Sequence, residues 1–125
     1  MKNYLTIDKI DAYRLAFDVS NEIWENVMQW DSFARWTLGK QLVEAADSIS
    51  ANIAEGFGRY HKKDKVLFYR YSYGSMEETK DWVRKAFVRG LISEGQANRM
   101  VTQMSEDLPK QIHQLIRFTN DKLNY

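Results

Sequence analysis

The chain has 125 residues, 44% of them hydrophobic and 28% charged, with a formal net charge of +1. That is the composition of one helical globular domain, 1–125, large enough to bury a core without disulfides or metal. The near-neutral balance excludes a whole-molecule attraction to nucleic acid, and the absence of cysteine excludes a disulfide framework, a thiolate metal site and a cysteine nucleophile.

The N-terminus is charged before any long apolar run develops, and no window approaches the roughly 18 apolar residues of a membrane span. A cytoplasmic protein with no membrane partner is expected. Charge is unevenly spread: residues 1–60 hold six Lys/Arg against nine Asp/Glu, 61–90 eight against four, and 91–125 four against four. Any electropositive patch therefore has to be local.

Four amphipathic segments follow in chain order. The first spans about Asp8 to Met28, with Ile10, Tyr13, Phe17, Ser20, Trp24 and Val27 on one line and Ala12, Ala16, Val19 and Ile23 on a second. Asp8 and Asp11 are expected to cap it, and Asp31 or Ser32 to cap the next. The second segment, about Phe33 to Phe57, sets Leu42, Ala46, Ile49, Ile53 and Phe57 on its core line; Gly56 and Gly58 are expected to close it in the left-handed conformation.

The third segment, about Asp64 to Arg89, shows Leu67, Phe68, Tyr71, Ser75, Glu78, Trp82 and Ala86 at helical steps and stops at Gly90. Ser93-Glu-Gly-Gln96 then has the form of a capping box, followed by Ala97, Met100, Met104, Leu108, Ile112, Leu115 and Thr119. Pro109 predicts a kink or local break in this last helix near Ser105 to Leu108. Short joints between helices of about 20 to 28 residues predict an all-α, antiparallel up-down-up-down four-helix bundle. Its topology gathers Lys2, Lys9, Arg59, Lys62, Lys63, Lys65, Arg117 and Lys122 near one pole.

Three constellations carry potential chemistry. Arg59, Lys62, Lys63, Lys65 and Arg70 interleave with Tyr60, Tyr69, Tyr71 and Tyr73, a pattern that suits phosphates and unpaired bases as well as it suits a solvated loop. Ser48, Asn52 and Glu55 on the second helix, with Ser75 and Glu78 on the third, are expected to form a polar network joining helices or subunits. A di-metal carboxylate site needs Glu-x-x-His pairs, but Gly58 and Lys110 precede His61 and His113 by three residues, so no metal, cofactor or catalytic residue is expected. Finally, four Trp, seven Tyr and six Phe exceed what one bundle core hides, which predicts a second apolar surface and self-association.

From about Leu38 to Leu91 the chain resembles the four-helix-bundle family of proteins encoded in intervening sequences of bacterial 23S ribosomal RNA genes. The match is carried by Gln41-Leu42, Ala45-Ala46, Ser48-Ile49, the string Asn52-Ile-Ala-Glu-Gly-Phe-Gly-Arg59, Gly74-Ser75 and Glu78. The resemblance implies an antiparallel bundle assembled as a ring-shaped homopentamer, with a more distant similarity to retroelement accessory proteins that bind nucleic acid and a reverse transcriptase. It implies no enzymatic activity. Val43-Glu44 stand where the family often carries two arginines, Ser50 where it often carries proline, and His61 where it favours a serine cap.

Two functions follow as expectations. The first is a non-enzymatic homo-oligomer that binds RNA or DNA through its basic loop; the second is a protein-interaction scaffold with no nucleic-acid role.

Overall fold

The computed structural model describes residues 6–124, all helical or in short joints, with no strand among them. Four helices make up the domain. The first is Asp11–Val27, preceded by a 3-10 turn at Ile7–Lys9. The second covers residues 32–58, in which a π turn at Arg35–Gly39 joins Ser32–Ala34 to Lys40–Gly58. The third is Lys62–Val88, and the fourth covers residues 94–122, with a π turn at Gln103–Asp107 between Glu94–Thr102 and Leu108–Lys122.

The ends of these helices follow local chemistry. Asp31 Oδ1 accepts from Ala34 N at 3.0 Å, as the sequence predicts for a cap. Ser93 and Gln96 form the predicted capping box, each side chain accepting from the other's backbone N–H. Gly90, at φ 77°, ends the third helix, and Leu91 N donates back to Ala86 O at 2.9 Å.

Two predicted ends differ. Asp8 lies in the 3-10 turn, and the first helix begins at Asp11 with no side-chain cap; a hydrogen bond with Thr6 is the main cause holding the Asp8 carboxyl below its usual range. Gly56 and Gly58 are not left-handed, since Gly90 is the one residue of positive φ described. The second helix instead runs straight off into extended Arg59.

Pro109 sits at the start of Leu108–Lys122, directly after the π turn. Its ring would crowd the carbonyl four residues earlier in a regular helix, and the wider turn moves that carbonyl aside.

The core runs the length of the domain and draws on all four helices. The first helix buries its second line, Ala12, Ala16, Val19 and Ile23, together with Val27, while Phe17 and Trp24 of the first line stay about half exposed at 47% and 52%. The second and fourth helices bury the predicted lines, with Phe57 and Leu115 only half-buried.

The third helix corrects the prediction. Its core line is Tyr69, Ser72, Met76, Thr79, Val83 and Ala86, and the line chosen from the sequence leaves Leu67, Tyr71 and Glu78 exposed. Two hydroxyls disguised it. Ser72 Oγ donates to Ile49 O at 2.8 Å across the interface and Thr79 Oγ1 donates to Ser75 O at 2.7 Å, so both polar groups are satisfied inside an apolar seam.

Contacts between the second and third helices run in opposite order along the chain: Gly56 lies on Lys65 and Tyr69, Ile49 on Ser72. Lys62 reaches Asn120 and Leu123 at one end, while Phe33, Leu38, Arg89 and Leu91 share a groove with one another. Lys2, grouped by the sequence with the basic pole, lies outside the described residues.

Candidate functional site

The loop after Gly58 and the start of the third helix bring most of the predicted cations together, but they are already engaged. Arg59 Nε donates to Glu55 Oε2 at 3.1 Å, and its guanidinium lies 4.6 Å from the Phe68 ring centre. Lys62 Nζ donates to Asn120 O and Leu123 O, both at 3.3 Å. Lys65 Nζ donates to Phe57 O at 2.7 Å, and burial pushes its ammonium below the usual lysine range.

These are helix-end carbonyls, which lack intrahelical donors and carry the negative end of the helix dipole. Lys62 and Lys65 therefore cap the fourth and second helices. Lys63 and Arg70 point to solvent, with no ion pair among the described residues. The Tyr60 ring meets His61 edge-on at 5.1 Å. His113, also exposed, lies 5.4 Å from the Tyr73 ring.

The five polar residues predicted as a network bond along their own helices. Ser48 Oγ donates to Glu44 O and Asn52 Nδ2 to Ser48 O, both at 2.8 Å. Glu55 holds Arg59, and Glu78 Oε2 accepts from Trp82 Nε1 at 3.1 Å. Ser75 contributes its backbone carbonyl to Thr79. Ser48, Asn52 and Ser75 are half-buried, whereas Glu55 and Glu78 are exposed.

The second apolar surface expected from the aromatic content, the doubled stripe of the first helix and the small Ala45, Ser48 and Asn52 line of the second is placed more narrowly by the structure. It lies where the first and second helices meet: Trp24, Met28, Trp36, Gly39 and Val43 line an apolar groove of about 440 Å³, together with the charged Arg35, Lys40 and Glu44. Trp36 is 71% exposed and neighbouring Phe33 79%. The floor forms because Gly39 comes so close to the first helix that a Cβ would stand 2.7 Å from Val27 Cγ1. Among the buried residues described, Trp30 and Tyr69 are the aromatic members. The available signal was Trp24 and Met28 four residues apart, on the line of the first helix that its smaller residues leave outside.

Among the described residues, no group of three or more His, Asp or Glu side chains is placed to hold a metal ion, and no helix is long and apolar enough to cross a membrane.

A search of curated proteins finds no match. The family model described as 23S rRNA-intervening sequence protein matches residues 8–114, which takes in the first three helices and most of the fourth. The chain thus belongs to the 23S rRNA-intervening sequence protein family.

Proposed function

We propose that this chain is a non-catalytic, cytoplasmic scaffold that assembles with copies of itself, in the ring of five implied by the family resemblance and without a cofactor. The antiparallel up-down-up-down order and a bend at Pro109 belong to the same proposal; the opposed contact order of the second and third helices and the π turn at Gln103–Asp107 support them.

The observation that carries self-assembly is the groove of Trp24, Met28 and Trp36, an exposed aromatic cluster of the kind that marks association surfaces. Light scattering is expected to give a mass several times that of one chain. Trp24→Glu/Trp36→Glu, at two solvent-facing positions, is expected to keep its helicity and weaken assembly at least about a hundredfold. A monomeric wild type, or an unchanged mass in the variant, overturns the proposal. The polar row Ser48, Asn52, Glu55, Ser75 and Glu78 is proposed to line contacts between subunits, because within one chain its bonds leave it outside the core.

Nucleic-acid binding is a second reading, favoured by Lys63 and Arg70, which are exposed and have no ion pair among the described residues. Arg59, Lys62 and Lys65 enter it only as supports of the loop, since their cations already hold partners. Lys63→Glu/Arg70→Glu is expected to weaken RNA binding at least about tenfold at low salt, and equal binding by both proteins counts against this reading.

A further inference from the structure

Charge is split between the two halves of the bundle far more sharply than the net value suggests. Residues 11–58, the first two helices and their joint, hold three Lys/Arg against eight Asp/Glu, net −5. Residues 59–122 hold thirteen against eight, net +5.

On the positive half, seven cations have neither an ion pair nor a carbonyl partner among the described residues, and five of them, all but Arg89 and Lys122, lie along the third and fourth helices. Tyr73 of the third helix meets His113 of the fourth, their ring centres 5.4 Å apart. Arg70 stands three residues before Tyr73, while Lys110 and Arg117 stand three before and four after His113, so helical geometry places all three beside that contact. Lys63 and Arg84 extend the Arg70 line in steps of seven, and Lys63, Arg70 and Asn120 line one shallow groove of about 390 Å³ across the two helices.

All five cations are exposed, and none has an ion pair among the described residues. Of the acids beside these cations, Glu77 pairs with Lys80 at 2.9 Å, while Asp64, which lines the same groove, and Glu106, Asp107 and Asp121, three or four residues from Lys110 or Arg117, remain as counter-charges.

We propose that the outward face shared by the third and fourth helices, through Lys63, Arg70, Arg84, Lys110 and Arg117, binds the phosphate backbone of a nucleic-acid duplex. This rests on the nucleic-acid reading but moves the site from the loop to the body of the bundle and changes the ligand class. The face presents five cations and, at its centre, one exposed ring, His113, against which Tyr73 is half-buried. Such a surface suits sequence-independent phosphate contacts, whereas single strands need stacking platforms. From Lys63 to Arg84 the third helix rises about 31 Å at 1.5 Å per residue, comparable with about nine base pairs at 3.4 Å each. The acidic opposite half repels the same ligand and so orients its approach.

The test is fluorescence anisotropy with a 20-base-pair RNA duplex, a DNA duplex of the same sequence and the corresponding single strands, over a salt series. The wild type is expected to bind both duplexes within about threefold of each other and more tightly than either strand. With five phosphate contacts, log K should fall with log salt at a slope of about −4.5. Arg70→Gln/Arg84→Gln/Arg117→Gln is expected to reduce that slope to about −2, and Arg84→Gln alone to reduce it by about one; Tyr60→Ala should leave duplex binding unchanged.

Absence of binding to every probe overturns the nucleic-acid reading as a whole. Binding that prefers single strands, that depends on Tyr60 but not on the three arginines, or that polyglutamate displaces at equal charge overturns the duplex face alone. All three arginines are exposed, so circular dichroism of the variants should match the wild type.

Discussion

Replacing Gly56 with alanine is expected to destabilise the protein by about 1–3 kcal/mol, and Gly56→Val by about 3 kcal/mol or more. A Cβ at this position would stand 2.7 Å from Tyr69 Cε1, 2.9 Å from Tyr69 Cδ1 and 2.9 Å from Lys65 O. None of these atoms yields cheaply. The carbonyl is part of the third helix, and the Tyr69 ring is 2% exposed, enclosed by the core. The second and third helices would have to part, and two bonds that tie them would stretch: Ser72 Oγ to Ile49 O at 2.8 Å and Lys65 Nζ to Phe57 O at 2.7 Å.

Gly74 is the internal control. It lies within the third helix, and a methyl group added there would meet nothing within 4 Å, so Gly74→Ala is expected to stabilise by about 0.5–1 kcal/mol through the usual helical preference for alanine. Urea denaturation at one fixed protein concentration reads both changes, since self-association would make apparent stability depend on concentration. Opposite signs at the two glycines are the expected result, and a neutral or stabilising Gly56→Ala would show that the close approach is not there.

The same glycine shows where the sequence is legible and where it is not. Two glycines after an apolar line do announce the end of a helix, and Gly58 is indeed the last residue of the second helix. The pattern cannot say that Gly56 is required by the ring of a residue thirteen positions later, because that depends on how two helices are set against each other. The third helix misleads for a related reason. Ser72 and Thr79 break its apolar line on paper, yet each hydroxyl has a carbonyl partner inside the core, so the seam tolerates them. Exposed Leu67 and Tyr71 then supply a false hydrophobic face.

The candidate surfaces divide likewise. A basic, aromatic loop is visible as composition, but the engagement of Lys62 and Lys65 at helix ends depends on which termini lie together. The cationic face of Arg70, Arg84, Lys110 and Arg117 is hidden in the sequence because its members come from two helices whose facing sides are fixed by contacts distant in the chain, among them Tyr73–His113, Lys62 to Asn120 and Lys80 to Ser105. By contrast, caps formed within four residues, at Asp31 and Ser93, are legible, since everything they require is local.

The second large effect is expected at alkaline pH, from Tyr69. Burial pushes its phenol from 10.0 up to about 12, partly offset by a hydrogen bond with Thr119. Between those values the unfolded chain releases a proton that the folded one retains, so stability falls as pH rises. The contribution is intact below pH 10 and is lost progressively towards pH 12. Two units correspond to about 2.7 kcal/mol. Lys65 acts with the opposite sign: burial lowers its pKa below 10.5, so its desolvation cost is relieved as pH rises towards that value. The sum for the wild type therefore mixes two trends, and the informative quantity is the difference between wild type and Tyr69→Phe at each pH, in which Lys65 and the other tyrosines cancel. At pH 7 the phenylalanine variant is expected to be less stable by about 0.5–1.5 kcal/mol, from the lost bond to Thr119. Above pH 10 the gap should close and then reverse, as the wild type alone bears the cost of keeping a buried phenol protonated. A difference that stays flat from pH 8 to pH 12 would mean that the Tyr69 hydroxyl reaches water, and with it that the second, third and fourth helices do not close over this ring.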